Sequence, residues 1–125
     1  MKVNKVKPRV RELREEEVVF DCECEPEEMQ IEGNASAIGP EEDAQTYKWI
    51  RDQLDGGNEW AWCGVIVTAR WGDFEAKEYL GGCSYESRED FMKPGGYYDD
   101  MKSEALAALN VKIRASFETL STLIK

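Results

Sequence analysis

The chain of 125 residues contains no histidine. Histidine is the commonest general base, the commonest metal ligand and the usual physiological pH switch, so its absence argues against most familiar catalytic and metal sites. No apolar run approaches the ~18 residues that a membrane span needs, and no apolar stretch follows the basic N-terminus as in a secretory signal. We therefore expect a soluble, cytoplasmic protein that does not contact membranes.

Catalytic motifs are also missing. The segment 81–85 reads GGCSY, which is not the Gly-x-Ser-x-Gly of a nucleophile elbow, and no glycine-rich phosphate loop is present. Asp99 and Asp100 could bind a divalent ion, but they lie where helix caps lie, so capping is the preferred interpretation. We expect a protein that is not an enzyme and that holds neither a metal nor a cofactor.

The cysteines are few and too widely spaced for a typical zinc site. Neither Cys63 nor Cys83 has a close cysteine neighbour, unlike the paired ligands of a zinc knuckle. We predict four reduced, buried thiols, because free cysteine packs as a small apolar residue; zinc and a disulfide are the weaker alternatives. A reactive thiol at Cys22 or Cys24 is disfavoured, since the acids beside them oppose the thiolate.

Charge is distributed unevenly along the chain, whose net charge is −10. Residues 1–14 hold six basic residues and one acid, whereas residues 15–59 hold fifteen acids and two bases. We interpret 1–14 as a basic arm, extended or mobile and ordered by a partner, and 15–125 as a single domain. The basic residues of the arm are Lys2, Lys5, Lys7, Arg9, Arg11 and Arg14.

The acidic stretch that follows the arm has two interpretations. It is either a solvated, solubilising face or a surface that presents carboxylates to a basic groove, as DNA presents phosphates. The arm could instead fold back on it or touch nucleic acid; binding of nucleic acid by the whole domain is disfavoured because carboxylates repel phosphates. The candidate acidic surface comprises Glu15, Glu16, Glu17, Asp21, Glu23, Glu25, Glu27, Glu28, Glu41, Glu42 and Asp43.

Hydrophobic periodicity predicts an α+β fold in the order β(β)-α-β-β-α, with an antiparallel sheet and both helices packed on one face. The first predicted strand, 18–25, alternates: Phe20, Cys22 and Cys24 point one way and acids point the other. The remaining predicted elements are a short strand at 29–32, a helix at 41–55, hairpin strands at about 59–71 and 74–85, and a helix at 99–124.

The central hairpin is predicted to turn at Gly72-Asp73, which places Trp71 opposite Phe74 and Gly64 opposite Gly81. One face then resembles a core, and Cys63 and Cys83 fall on opposite faces. The other face is charged near the turn and aromatic further away. That aromatic end is either covered by another part of the chain or exposed as a groove for a partner or flat ligand. Its residues are Trp60, Trp62, Tyr79 and Tyr85.

Four short motifs in the middle of the chain carry a resemblance: GNxWAWC at 57–63, VTA at 67–69, LGGCSY at 80–85 and YYDDM at 97–101. Through them, the segment 47–109 resembles a group of small bacteriophage- and prophage-encoded proteins with no assigned activity. The resemblance assigns no functional residue to this chain. It implies a phage-infected bacterial cytoplasm, where small acidic proteins often look like inhibitors of host enzymes or defence systems.

The sequence supports three hypotheses of function. The first is a non-enzymatic phage accessory protein whose acidic surface binds and modulates, by inhibition, a host protein with a basic surface. The second is a small-ligand or nucleotide-binding module on the aromatic hairpin face. The third is a nucleic-acid-associated accessory protein that acts through the basic arm. The oligomeric state is left open, a homodimer included.

Overall fold

The computed structural model describes residues 9–35 and 39–124. Within these ranges the fold is α+β, as the hydrophobic pattern predicts, and it is built on a three-stranded antiparallel sheet in the order β1-β2-β3. The strands are β1 (Val19–Pro26), β2 (Cys63–Trp71) and β3 (Phe74–Cys83). The helices are α1 (Pro40–Asp55), α2 (Arg88–Phe91) and α3 (Tyr97–Ser121), and two short 3-10 turns cover Glu15–Glu17 and Glu59–Ala61.

Strand β1 alternates as predicted and separates two chemically different faces of the sheet. Phe20, Cys22 and Cys24 contribute to the main core, whereas Glu23 and Glu25 are exposed. Pro26 is the last residue of the strand, which agrees with its lack of a backbone donor for further pairing.

The segment after β1 is not a strand, so the prediction of a second strand at 29–32 is wrong. Residues 29–35 form bends and a turn. The Asn34 side chain donates to the Gln30 carbonyl at 3.0 Å, and Asp43 accepts from the backbone N–H groups of Gly33 and Ala35, both at 3.0 Å. These side-chain hydrogen bonds satisfy backbone N–H and C=O groups that, in a strand, would bond to the backbone of an adjacent strand.

The β2–β3 hairpin has the predicted register over most of its length. Trp71 lies opposite Phe74, and the pairing continues without interruption to Val65 and Leu80. Gly72, the first residue of the turn, has φ of +57°, which matches a two-residue turn with glycine first.

A β-bulge breaks this register at the far end of the hairpin. Cys63 pairs with Cys83, and Gly82 has φ of +65°, a conformation that glycine adopts at little cost. The extra residue brings Cys83 into the main core beside Cys63, so the prediction that the two thiols lie on opposite faces is wrong. The shift falls between Cys63 and Val65, so Gly81 and Gly82 together lie opposite Gly64.

Helix α3 covers one face of β2 and β3. It begins at Tyr97, two residues before Asp99, the predicted cap. The Asp99 side chain instead accepts a hydrogen bond from the backbone N–H of Gly95 at 2.9 Å. The helix ends at Ser121 rather than at the predicted residue 124, and the apolar residues Leu120 and Ile124 at this end are exposed. The 25 residues of α3 span about 37 Å, more than the ~30 Å of the nine-residue β2. The shared core comprises Val65, Val67, Ala69, Met101, Ala105 and Leu109.

Helix α1 packs at the end of the sheet, which corrects the prediction that both helices cover one face. Its main contact is with the 3-10 turn at Glu59–Ala61. Ile50 of the helix is fully buried in a second core that also contains Ile31 and Trp62. Among residues 9–35 and 39–124, α3 forms the helix layer on the sheet, and no described helix covers the opposite face.

The described part of the basic arm packs against α3. Leu13 is buried in the main core. Its backbone N–H donates to Asn110 Oδ1 at 2.8 Å, and Asn110 Nδ2 donates to the Leu13 carbonyl at 3.1 Å. Residues 9–14 therefore belong to the packed domain, which begins before the predicted boundary at residue 15.

The Asn110→Ala variant tests this two-bond contact. We expect it to lower the free energy of unfolding by about 1–3 kcal/mol, because both backbone groups of Leu13 lose their partner in a partly buried site. Trypsin cleavage after Arg11 and Arg14 should accelerate. Val111→Ala, on an exposed position of the same helix, is the control. Equal stability and cleavage rates in the two variants would contradict this account.

The bulge gives a second prediction. Gly82→Ala should destabilise the fold by about 1–2 kcal/mol, because it forces a Cβ into the left-handed region. Gly81→Ala is the matched control, since Gly81 has no positive φ. Its Cβ would lie 3.3 Å from the flexible end of Glu27 and at ordinary contact distance, 3.4 Å, from the Tyr79 ring. Urea unfolding measures both. Equal losses in the two variants would show that the backbone conformation of Gly82 is not the cause.

Candidate functional site

Strand β1 places carboxylates on the sheet face that α3 leaves uncovered. Asp21, Glu23 and Glu25 alternate with the core-facing residues, so the Cα atoms of neighbouring acids are about 6.6 Å apart along the strand. Asp21 forms an ion pair with Arg70 on the adjacent strand, and Arg70 also binds Glu75 at 3.1 Å. Glu23 and Glu25 are exposed and, in the part of the chain that the structure describes, neither forms an ion pair.

The acids that precede β1 are bound by the protein's own basic residues. Glu15 pairs with Lys102 at 2.9 Å. Glu17 accepts two hydrogen bonds from Arg11, at 2.7 and 2.6 Å, and these bonds, with one from the Arg14 backbone, lower the pKa of Glu17 to about 2. The structure therefore divides the predicted acidic surface. Its members without an ion pair among the described residues are Glu23, Glu25, Glu27, Glu28, Glu41 and Glu42.

The basic arm is partly neutralised by the same contacts. Arg11 binds Glu17, and Arg14 lies 3.6 Å from Glu16 and 3.5 Å from Glu17. Arg9 is exposed. The other basic residues of the predicted arm, Lys2, Lys5 and Lys7, lie outside the described residues.

The four aromatic residues predicted to share one face are in three different places. Trp60 and Tyr85 are half-buried on either side of Phe91, with ring centroids 5.9 and 4.9 Å from it. Trp62 is 6% exposed in the second core, and its Nε1 donates to the Met29 carbonyl at 2.8 Å. Three of the four are thus covered by the chain itself, and the predicted aromatic patch does not form.

Tyr79 alone of the four lies on the open sheet face, where it is 55% exposed. Its ring lies over Gly64, at the place that a Cβ would occupy. The hydroxyl donates to Glu27 Oε2 at 3.0 Å, and this bond raises the pKa of Tyr79. The Glu27 side chain is therefore held as an acceptor at the end of the row of β1 carboxylates.

All four cysteines are free thiols. Cys22, Cys63 and Cys83 are buried, and burial raises their pKa, to about 11 for Cys22 and Cys83. Cys24 is half-buried, and burial raises its pKa as well. Across residues 9–35 and 39–124, no three His, Cys, Asp or Glu side chains are grouped so that they could hold a metal ion.

An apolar hollow of about 390 Å³ lies where the end of β1, the loop after it and α1 meet. Cys24, Ile31, Leu54 and Trp62 are among its apolar walls, and Arg51 lies at its edge. Sequence reasoning missed this site because its residues come from three separate segments, 24–31, 51–54 and 59–62. The apolar residues at 29–31 are the part of the sequence that indicates this hollow, but their pattern predicts a short strand there.

A second hollow, of about 610 Å³, adjoins the first. Both are lined by Glu25, Pro26 and Glu27, and the second extends to Glu28 and Tyr79. The two hollows are therefore neighbours at the end of β1, one beside Trp62 and the other beside Tyr79. We call the pair the Trp62–Tyr79 groove.

Comparison of the chain with family models, with curated proteins and with solved structures gives no match. The resemblance to phage proteins therefore stays a prediction, and the case for a function depends on the geometry above. Among the described residues, no helix has the length and apolar character that crossing a membrane requires.

Cys24 should be the first thiol to react with iodoacetamide in the folded protein. It alone of the four is half-buried rather than buried. Its raised pKa means that labelling should be slow near neutral pH and should accelerate as the pH rises, because the thiolate is the nucleophile. Mass spectrometry of tryptic peptides at early times identifies the labelled site. A Cys24→Ala variant should lose the fast phase, and first labelling at Cys63 would contradict the described packing.

Proposed function

We propose that this protein is a non-enzymatic accessory protein that modulates a host protein, by inhibition, in the cytoplasm of a phage-infected bacterium. The proposed contact is between the exposed carboxylates of β1 and a basic surface of the partner. One observation carries the proposal. Strand β1 holds Glu23 and Glu25 on a sheet face that no helix covers and leaves both without an ion pair among the described residues.

The position of these carboxylates favours binding over mere solubility. The acids just before β1 and at its start are paired with Arg11, Arg14, Arg70 and Lys102, so they contribute little net field. These paired acids are Glu15, Glu16, Glu17 and Asp21. Unpaired charges on a flat, open surface attract an oppositely charged partner and accelerate its association. The row on β1 is therefore the part of the acidic surface best suited to steer a basic partner.

The geometry gives less support to the two other hypotheses. The nucleic-acid hypothesis needs free basic residues on the arm, and Arg11 and Arg14 are bound to acids of the same chain. The aromatic-face hypothesis needs Trp60, Trp62 and Tyr85 to be available, and the chain packs around all three.

The experiment compares the wild type with Glu23→Gln/Glu25→Gln as bait in host lysate at low and at high salt. We expect the wild type to retain a host protein at low salt and to release it at high salt. The double variant should bind the retained protein roughly 2- to 30-fold more weakly. This range corresponds to the loss of two exposed ion pairs with the partner, each of which contributes about 0.2–1 kcal/mol to the binding free energy. Surface plasmon resonance with the purified host protein measures this change.

Glu41→Gln/Glu42→Gln is the matched control, because it removes the same charge from the first turn of α1. It should bind as the wild type does. Retention of no host protein at either salt concentration, or equal binding by the two double variants, would contradict the proposal.

A further inference from the structure

The Trp62–Tyr79 groove has chemistry that the acidic row on β1 does not explain. Its first hollow is apolar, and its wall is fixed: the Trp62 indole is held by a 2.8 Å hydrogen bond to the Met29 carbonyl. Ile31 and Trp62 belong to the second core, with Leu54 packed against it. A preformed apolar hollow of about 390 Å³ is at the small end of the range for ligand sites and suits a side chain or a compact apolar group.

The charges around the hollow favour a cationic ligand. Three carboxylates, from Glu25, Glu27 and Glu59, line it against one guanidinium, from Arg51. That guanidinium lies 3.8 Å from Asp55, one turn along α1. An anionic ligand would be repelled by this excess of carboxylates, whereas an apolar group attached to a positive charge would be attracted.

The second hollow extends the same preference onto the open sheet face. It is lined by Glu25, Glu27, Glu28 and Tyr79. Tyr79 presents an exposed aromatic ring next to the Glu27 carboxylate, which is a favourable surface for a guanidinium or ammonium group. An apolar hollow thus adjoins a cation-binding one.

We infer that the groove binds an extended basic segment of a protein, with one apolar side chain inserted beside Trp62 and neighbouring Lys or Arg side chains over Glu27 and Tyr79. This inference rests on the proposed function. It specifies the chemistry of the partner's binding segment and the place on this protein where that segment binds. A single chain can bridge both hollows because Pro26 and its flanking glutamates line each of them. The apolar residue supplies affinity, and the basic residues supply orientation.

The test uses two synthetic peptides, Arg-Arg-Leu-Arg-Arg and Arg-Arg-Gly-Arg-Arg, on the full chain at low salt. Fluorescence anisotropy of labelled peptides measures affinity, and iodoacetamide labelling measures access to Cys24, which lines the apolar hollow. We expect the leucine peptide to bind roughly tenfold more tightly than the glycine peptide, from burial of the leucine side chain. We expect only the leucine peptide to slow labelling of Cys24.

Two variants locate the binding site. Met29 is exposed at the hollow, so Met29→Lys should remove the tenfold preference for leucine and the protection of Cys24. Val111→Lys makes the same change of charge at an exposed position on α3 and should leave both unchanged. If both variants lose the preference, the effect is one of net charge and the assignment of the groove is wrong.

The remaining outcomes separate this inference from the proposed function. Equal affinity of the two peptides, or no binding of either, would overturn the groove assignment, while binding of a host protein that depends on Glu23 and Glu25 would still support the acidic face. Protection of Cys24 by butylammonium at the same concentration as the leucine peptide would indicate a site for small amines and overturn the peptide assignment. Loss of the Glu23 and Glu25 dependence alone would overturn only the proposed function.

Discussion

The alternation of β1 is the constraint on which the other features of this fold depend. Cys22 and Cys24 face the core, and Glu23 and Glu25 face solvent, because successive side chains of a strand point to opposite sides. A slip of one residue against β2 would turn both glutamates into the core. Burial of unpaired carboxylates costs several kcal/mol each. The sequence of β1 therefore fixes both its register and the identity of the sheet face that stays open.

The open face is tolerable because few of its residues are large and apolar. Arg70 bridges Asp21 and Glu75 across three strands, and Tyr79 covers the buried backbone at Gly64 with its ring. Glycine beneath a cross-strand aromatic ring leaves space that a side chain would otherwise fill. The face thus needs no second helix layer, and α1 packs at the end of the sheet, where its contacts close one wall of the Trp62–Tyr79 groove.

Local patterns predict this fold where they are strong and fail where a distant contact decides. The periodicity of β1 and the turn at Gly72 suffice for the sheet and most of its register. The bulge at Gly82 is a one-residue insertion that leaves the apolar pattern nearly unchanged, so periodicity does not reveal it. The place of Leu13 depends on Asn110, 97 residues away. Glu23 and Glu25 could be predicted as site residues from alternation alone, whereas the groove required four segments to be placed together.

Ion pairing concentrates the unpaired charge of the sheet at one end of β1. Near its start, Glu17 binds Arg11 and Asp21 binds Arg70. Near its end, Glu23 and Glu25 form no ion pair with any described residue, and Glu27 accepts a hydrogen bond from the neutral Tyr79 hydroxyl. The field of an exposed charge declines within about 8–10 Å in physiological salt. The paired charges near the start of β1 therefore contribute little to the electrostatic potential near its end. Under the proposed function, this distribution of charge would steer a basic partner to the end of the strand at which the groove opens.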